Sequence, residues 1–542
     1  VINEIPTGTS SITGDFTTKE ATDLANLLKS GTMPAPAVIV QEEVIGPSLG
    51  KQSINSGLRA FLYAFIVIWA YMIFYYSRKA GFVANLALFF NIFFLIGVLA
   101  SLQLALTLPG IAGIVLTMGM AVDANVLIYE RIREEIHAGK GIRMAIADGF
   151  KNALSAIIDG NVTTLLTGII LFVLGTGPVK GFATTLVIGI CTSLFTSIFI
   201  SRLVFEMMLD RNVVLTFSTK ATEGLLKNVN FNFLKYRKVF YVISASFIVV
   251  GIISLFVRGL DVGVDFAGGR NYVIKFDKPV NNIEISKALT PLLQSQPTVI
   301  TFGTADKVRI TTKYKIDSDE PAVEDEIQTL LHQGLKTFIP EGTSYEQFTA
   351  NYLQSTQKIG PTIADDIKRQ SSWALLVALV MMFFYIFMRF RNWRYGLGAT
   401  VATFHDAFFI ITLFSLLYGI MPFSMEIDQA FIAAILTVIG YSVNDTVVVY
   451  DRIREFFTLH PKRDKAEMMN AAINSTLSRT LNTALTTLFT ILVLFLVAGE
   501  SIRGFAFAMF VGVTVGTYSS IFIATPIVFD TFTKEQKQAA KQ

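Results

Sequence analysis

The sequence predicts a polytopic α-helical membrane protein made of two related helical bundles, with one α+β domain outside the membrane. Hydrophobic residues form 52% of the 542 residues, 46 residues are phenylalanine, and the mean hydropathy is +0.54. This composition is more apolar than that of water-soluble proteins. Stretches of about 20 apolar residues recur along the chain, and several motifs return in the same order in its second half.

Eleven windows are apolar enough to cross a hydrocarbon layer of about 30 Å as helices. They run approximately over residues 58–77, 82–104, 110–129, 153–174, 179–208, 239–257, 372–388, 396–418, 430–450, 480–498 and 502–528.

Lysine and arginine mark one side of the membrane. They concentrate in the loops that follow alternate windows, at 77–81, 130–153, 226–239, 389–396 and 451–469, and in the tail. Because cytoplasmic loops carry an excess of positive charge, we predict that these segments are cytoplasmic. Residues 1–57 and 258–371 then lie outside, in the periplasm of a Gram-negative host. The net charge of +4 is too small to indicate a nucleic-acid partner.

Internal repetition predicts a tandem duplication of the bundle. Gly119, Tyr129 and Arg131 return at one constant spacing as Gly440, Tyr450 and Arg452. Three longer motifs return too: IGPS (45–48) as IGPT (359–362), VTTLLT (162–167) as LTTLFT (485–490), and KGFA (180–183) as RGFA (503–506). The copies share one orientation, which predicts parallel repeats about an axis along the membrane normal.

Residues 258–371 alternate strand-like and helix-like segments in the order βαββαβ, which predicts a ferredoxin-like domain. The first repeat shows no such domain, because only residues 1–57 precede its first window. We expect residues 1–57 to be the end of a first external domain, and we expect a leading helix and the rest of that domain in a longer protein of twelve helices. The other predicted units, in chain order, are the first bundle (58–210), a cytoplasmic linker (211–238), the first helix of the second repeat (239–257), the second bundle (372–530) and a cytoplasmic tail (531–542).

Two aspartates lie within predicted membrane helices. Asp123 is part of GMAVDANVLIYERIREE, and Asp445 is part of the related GYSVNDTVVVYDRIREF. A charged aspartate at a helix centre costs about 2.5–3.5 kcal/mol even on permissive insertion scales, so an intramembrane acid indicates function. Helix geometry places both roughly 10 Å inside the cytoplasmic end. In the aligned repeats Asp123 corresponds to Asn444, so the two acids are one position apart.

A buried carboxyl group can bind and release a proton near neutral pH, which makes both aspartates candidates for ion coupling. Arg479, in SRTLN at the inner end of the next helix, is the expected partner of Asp445 in one conformation and not in another. Static hydrogen-bonded packing remains the alternative for each acid. Neighbouring polar residues are interpreted as interhelical hydrogen-bonding groups or parts of a wet path: Asn125, Asn444, Thr446, Asn161, Asn482, and the pair His405 and Asp406, whose alternatives are a structural role, a proton relay or a metal site.

Six longer motifs resemble those of the SecD and SecF family of Sec translocon accessory proteins, here fused in one chain as in SecDF. They are GVDFAGG (263–269), VDANVLIYERIREE (122–135), DGNVTTL (159–165), GPVKGFATTL (177–186), YSVNDTVVVYDRIRE (441–455) and SRTLNTALTTL (478–488). The resemblance extends to the duplicated bundles of the resistance-nodulation-division (RND) superfamily. We interpret the glycines of VDFAGG as a tight turn.

This resemblance implies a multi-pass protein of the bacterial cytoplasmic membrane that uses the proton motive force in late protein translocation. The implied partners are the SecYEG translocon channel, the secretory polypeptide on the periplasmic side, the lipid bilayer, and YajC or YidC as further candidates. Two alternatives stay open: a proton-driven exporter of small molecules or lipids, and a passive scaffold of the translocon. Sodium in place of protons also stays open.

No motif predicts an enzyme. The sequence contains no GxxxxGK[ST] loop for ATP, no HExxH zinc motif and no GxSxG nucleophile elbow. Its single cysteine, Cys191, excludes a disulfide within one chain. We therefore expect neither catalytic activity nor a cofactor or metal.

Overall fold

Among the residues that the structure describes, eleven long apolar helices form the body of the protein, as predicted. The computed structural model describes residues 41–539 except 225–228, 317 and 319–320. The first repeat contains α1 (Pro47–Tyr76), α2 (Arg78–Ser101), α3 (Leu108–His137), α4 (Ile142–Leu174) and α5 (Gly177–Asp210). The second begins with α6 (Arg237–Val257) and, after the external domain, continues with α9 (Pro361–Phe390), α10 (Trp393–Leu417), α11 (Gln429–Leu459), α12 (Lys465–Val497) and α13 (Glu500–Thr533).

The membrane helix that follows the IGP motif of each repeat begins earlier than its apolar window. α1 starts at Pro47 rather than near residue 58, and α9 starts at Pro361 rather than near residue 372. Proline is favoured in the first turn of a helix, because the missing N–H would be unsatisfied there anyway. Hydropathy windows detect only the lipid-buried part of a helix, so they miss these outer turns, which connect the bundle to the sheet.

The external domain confirms the βαββαβ order. Its elements are β2 (Gly269–Lys275), α7 (Asn282–Leu289), β3 (Thr298–Phe302), β4 (Thr304–Thr312), α8 (Pro321–Leu335) and β5 (Leu353–Ile359). The strands are antiparallel in the order β5-β2-β4-β3, the ferredoxin-like arrangement. Leu289, Leu331 and Leu335 of the two helices pack on Tyr272 and Ile274 of the sheet.

A fifth strand, β1 (Gln41–Ile45), joins this sheet although the sequence places it in another domain. It pairs antiparallel with β5, so that Gln41 lies opposite Ile359 and Ile45 opposite Ser355. β1 and β5 are repeat equivalents, since each leads into an IGP motif and the first helix of its bundle. The repeats are thus joined outside the membrane as well as within it. Residues 1–40 of the predicted external segment lie outside the described residues.

Helices α3 and α11 occupy the centre of the bundles and are almost entirely buried. α3 packs against α12 of the other repeat, and α11 packs against α4. Both crossings pass over a glycine: a Cβ on Gly119 would lie 3.1 Å from Thr487 Cα, and one on Gly440 would lie 3.0 Å from Thr164 Cα. The shared crossing supports parallel repeats. We call the side of the sheet outer and the side of the basic loops inner.

Candidate functional site

Asp123 and Asp445 meet at one helix of the second repeat, α12. Thr486 Oγ1 donates a hydrogen bond to Asp123 Oδ1 at 3.0 Å, and Thr483 Oγ1 donates one to Asp445 Oδ1 at 3.3 Å. Residues three apart lie on the same face of a helix, so the two hydroxyls form one short row. The acids come from different repeats, on α3 and α11. The candidate site is therefore a single one at the boundary between the bundles.

Both carboxyl groups are buried, with Asp123 4% and Asp445 3% exposed. The second oxygen of each, Oδ2, is also buried and has no hydrogen-bond partner among the described residues. A buried carboxylate oxygen without a partner is costly, and binding a proton or a small cation relieves that cost. This arrangement has the chemistry of an ion-exchange site.

Arg479 lies four residues before Thr483 on α12, which places it one turn closer to the inner side. It is within electrostatic range of Asp445, but no ion pair joins the two among the described residues. Its Nε and Nη2 are buried and have no hydrogen-bond partner among the described residues. The carboxylates of Glu134 and Asp451 also act on it electrostatically from the inner side. The predicted pair with Asp445 is thus not formed in this conformation.

The equivalent threonines of α4 bond no carboxylate among the described residues. Thr163 Oγ1 and Thr164 Oγ1 donate to the backbone oxygen of Gly440 at 3.3 Å and 3.4 Å. Gly160 stands where α12 has Thr483, and an added Cβ there would collide with the Asn444 side chain. Asn444 occupies the place that Asp123 has in the first repeat. The repeats therefore share a framework, and only the α12 face binds the carboxylates.

His405 and Asp406 form a satisfied network. Asp406 is fully buried, its Oδ1 lies 3.1 Å from His405 Nδ1, and its Oδ2 accepts hydrogen bonds from Ser442 at 2.6 Å and Ser519 at 2.7 Å. Ser442 lies one turn before Asp445 on α11. The network joins α10 and α13 to the helix that carries Asp445, which supports a positioning role. Among the described residues, no three acidic, histidine or cysteine side chains are grouped to bind a metal.

The remaining predicted polar residues bond elsewhere. Asn125 Oδ1 accepts from Ser201 Oγ at 2.8 Å, between α3 and α5. Asn161 and Thr446 donate to backbone oxygens of their own helices. Asn482 Oδ1 accepts from Tyr71 Oη of α1 at 2.6 Å. The bonds of Asn125 and Asn482 fit the interpretation as interhelical hydrogen-bonding groups, whereas those of Asn161 and Thr446 stay within one helix.

The sequence reasoning missed a polar cluster at the outer end of α11. Asp265 Oδ2 accepts a hydrogen bond from the Gln429 backbone N–H at 2.9 Å, and its Oδ1 accepts one from Gln357 Nε2 at 3.1 Å. Asp428 caps α11 by accepting from the Phe431 N–H at 2.7 Å. The cluster thus fixes the helix of Asp445 to the sheet.

Burial raises the pKa of both acids in this outer cluster. Burial and the neighbouring charge of Asp265 raise the pKa of Asp428 to about 6. Burial also raises the pKa of Asp265, although two hydrogen bonds and the nearby Arg309 oppose the change. Arg309 of β4 is itself ion-paired with Glu426.

VDFAGG makes the tight turn that the sequence predicts and also supplies the acid of this cluster. One helical turn, Val264–Ala267, ends at Gly268, whose φ is +66°, a conformation that glycine adopts without a steric penalty. An added Cβ on Gly268 would lie 3.3 Å from Pro361 Cα, at the start of α9. The aspartate of the motif, which could have indicated the cluster, is Asp265.

Comparison with known proteins agrees with this architecture. The family model described as "Protein export membrane protein SecD/SecF, C-terminal" matches residues 27–211 and 342–534, and the SecD/SecF GG motif matches residues 253–280. Protein translocase subunit SecDF of Bacillus subtilis is 31% identical over 97% of this chain and 71% of its own length. The chain belongs to the SecDF family of protein translocase subunits.

Further SecDF proteins are similar to this chain in sequence and in structure. SecDF of Thermus thermophilus is 35% identical, over 99% of this chain and 69% of its own length. The crystal structure of a SecDF from Thermus thermophilus, described as a translocon-associated membrane protein, superposes with a TM-score of 0.82 at 33% identity, over 96% of this chain and 68% of that one. A SecDF in the super-membrane-facing form gives a TM-score of 0.71 at 34% identity.

Proposed function

We propose that this chain works in the bacterial cytoplasmic membrane as an accessory subunit of the Sec translocon and uses an ion gradient to drive late protein translocation. The observation that carries the proposal is the convergence of Asp123 and Asp445 on the hydroxyls of Thr483 and Thr486. Each acid keeps one buried oxygen without a partner among the described residues. Membership of the SecDF family supports the link to translocation.

Binding a proton or cation to Asp123 and Asp445 removes the energetic cost of their unpartnered buried oxygens. This change in energy alters the preferred packing of α3, α11 and α12. One proton that moves through about 150 mV supplies roughly 3.5 kcal/mol. A shift from 1:99 to 99:1 between two conformations needs about 5.5 kcal/mol, so one proton supplies more than half of that free energy and two protons are sufficient for the whole shift. Arg479 is placed to pair with Asp445 in the alternative conformation.

Helix α11 connects this site to the external domain. Asp445 lies in its inner half, and Asp428 and Gln429 at its outer end bond within the cluster that holds Asp265 and the sheet. A helix transmits displacement along its axis because its hydrogen bonds are internal. Movement at the acids therefore reaches the domain that would contact the secretory polypeptide.

The test is completion of translocation in vesicles that contain the SecYEG channel and this protein in its full-length form. Transport of a secretory polypeptide is started with ATP and continued without it, with and without an imposed gradient. We expect Asp445→Asn to abolish gradient-dependent completion. Asp365→Asn, a change at an exposed outer acid that pairs with Lys368, is the matched control and should behave like the wild type. Unchanged completion by Asp445→Asn would support the scaffold alternative instead.

Proton and sodium gradients are imposed in separate arms of this test, since a buried aspartate with threonine hydroxyls suits either ion.

A cavity of about 540 Å³ between the sheet and the bundle favours the exporter alternative, because apolar residues such as Leu49 and Ile111 line it beside Asp265 and Arg309. Gradient-driven efflux of an amphipathic dye from vesicles without SecYEG would select that alternative.

A further inference from the structure

The two bundles are joined near the inner side by a pair of equivalent contacts. In each, a tyrosine of the first helix of one bundle, α1 or α9, reaches the fourth helix of the other bundle, α12 or α4. Tyr71 of α1 donates to Asn482 of α12 at 2.6 Å, and Tyr385 of α9 donates to Asp159 of α4 at 3.0 Å. Asn482 and Asp159 occupy the same position in LNTALTTL and DGNVTTL. We call these contacts the α1–α12 joint and the α4–α9 joint.

A second interaction, one turn further in, belongs to each joint. In the α1–α12 joint, Tyr75 Oη lies 3.3 Å from Ser478 Oγ. In the α4–α9 joint, Arg389 Nη2 donates to Ser155 Oγ at 2.5 Å. Ser478 and Ser155 are again repeat equivalents, as are Tyr75 and Arg389. The duplication therefore preserves four positions, of which the tyrosine and the serine are unchanged and the other two differ in chemistry.

The joints differ in charge. Arg389 Nε and Nη2 contact Asp159 Oδ2 at 2.6 Å and 2.5 Å, and the Asp159 side chain is only 9% exposed. The corresponding places of the α1–α12 joint hold an amide, two phenols and a hydroxyl, and the charges nearest to them, Glu130 bonded by Ser478 at 3.2 Å and Arg133 over the Tyr75 ring, are paired with each other on α3 rather than across the joint. Separating a buried ion pair leaves uncompensated charges in a poorly solvated place, whereas separating neutral hydrogen-bonding groups costs much less. The α4–α9 joint is therefore the firmer of the two.

The weaker joint holds the helix that binds the carboxylates. Asn482 immediately precedes Thr483, which bonds Asp445, and lies four residues before Thr486, which bonds Asp123. Any rotation or slide of α12 that opens the contact with Tyr71 also displaces both threonine hydroxyls. No such link exists at α4, whose threonines bond a backbone oxygen.

We infer that Tyr71 and Asn482 are positioning residues for ion coupling: the α1–α12 joint opens and closes during the cycle, while the ion-paired α4–α9 joint keeps the bundles together. This inference rests on the proposed function, because the movement is assigned to neutralisation of Asp123 and Asp445. Beyond the proposed function, the inference identifies α12 as the helix that moves and the contact between Tyr71 and Asn482 as the one that limits its movement.

Exchanging the chemistry of the joints tests the inference. Tyr75→Arg with Asn482→Asp should create an ion pair in the α1–α12 joint like that of Arg389 and Asp159. We expect this variant to lose gradient-driven completion of translocation at least tenfold while it keeps or gains thermal stability. The matched exchange, Arg389→Tyr with Asp159→Asn, should lower thermal stability and leave completion within about twofold of the wild type.

Pulsed EPR distances provide a readout that does not depend on translocation. Spin labels replace exposed residues at repeat-equivalent places, Ile66 with Leu492 across the α1–α12 joint and Val380 with Ile169 across the α4–α9 joint, in a Cys191→Ser background. Neutralised acids are mimicked by the double replacement of both aspartates by asparagine.

We expect this mimic to shift the first distance and not the second. Equal shifts of both distances, a shift of the second alone or no shift at all would overturn the inference, as would normal completion by the ion-paired α1–α12 variant. A different result would contradict the proposed function, namely normal gradient-dependent completion by Asp445→Asn. In that case the EPR distances still decide whether the α1–α12 joint moves.

Discussion

At the scale of single residues, two threonines decide where the carboxylates meet. Thr483 and Thr486 each give a hydroxyl to one aspartate and also bond a backbone oxygen of α12 at i−3, which fixes their rotamers. Such preorganised hydroxyls hold one oxygen of each acid and leave the other one for the ion. The threonines therefore set both the distance between the acids and their exposure to ions.

Removing one of these hydroxyls should weaken coupling without unfolding the protein. Thr486→Val keeps the shape of the side chain but leaves Asp123 without its donor, and hydrogen bonds to charged groups contribute about 1.5–3 kcal/mol. We expect gradient-driven ion flux into vesicles to fall about tenfold or more. Thr163→Val is the repeat-equivalent control, since Thr163 bonds only backbone oxygens, and it should change flux less than twofold. Equal effects of the two variants would contradict a special role of Thr486.

The outer acids should make stability depend on pH. The pKa of Asp428 is raised to about 6 from its usual value of 3.8, so the folded protein binds this proton more tightly than the unfolded chain does. Stability at this site is then highest below about pH 4 and falls as the pH rises to about 6, by up to about 3 kcal/mol. Asp428→Asn keeps the helix cap and removes the titration.

Thermal unfolding in detergent between pH 4 and 7 measures this effect. The melting temperature of Asp428→Asn should vary less with pH than that of the wild type. Asp365→Asn, at an exposed acid, should follow the wild-type profile. Parallel profiles of wild type and Asp428→Asn would show that Asp428 does not titrate in this range.

At the scale of helices and strands, the sequence was sufficient to predict eleven spans, the βαββαβ domain and the two intramembrane acids, because these follow from local hydropathy and period. It was not sufficient to predict the partners. Nothing in the sequence distinguishes Thr483, since a threonine in an apolar helix is common. Only the packing of α12 against α3 and α11 brings it to Asp445. Asp159 could have been found, because it too is an acid in an apolar window.

The helix crossings at Gly119 and Gly440 determine how closely the bundles approach. Gly440→Ala would place a methyl group against Thr164 and Thr167, and overpacking of this kind costs about 1–3 kcal/mol. We expect a lower melting temperature in detergent. Gly97→Ala in α2 is the control, because nothing lies within 4 Å of the added Cβ and alanine is the better helix former. A Gly440→Ala protein as stable as Gly97→Ala would show that the crossing tolerates extra volume.

At the scale of the whole molecule, the repeats contact each other reciprocally at three depths. β1 and β5 pair outside the membrane, α12 and α4 cross α3 and α11 within it, and an ion-pair network joins the inner ends. There Arg131 bonds Glu455 at 3.0 Å, and the equivalent Arg452 lies 3.3 Å from Glu134. The two repeats differ in chemistry at the acids and at the two joints. These are the places to which the proposed movement is assigned.

Asp123 and Asp445 are expected to act as one site rather than as two parallel ones. The most direct test is ion flux through vesicles that contain the full-length protein, measured for Asp123→Asn, Asp445→Asn and the double variant. One shared site predicts that each single change abolishes flux and that the double change adds nothing. If each single variant kept about half of the flux and only the double variant lost it, the acids would act independently and the shared site would be wrong.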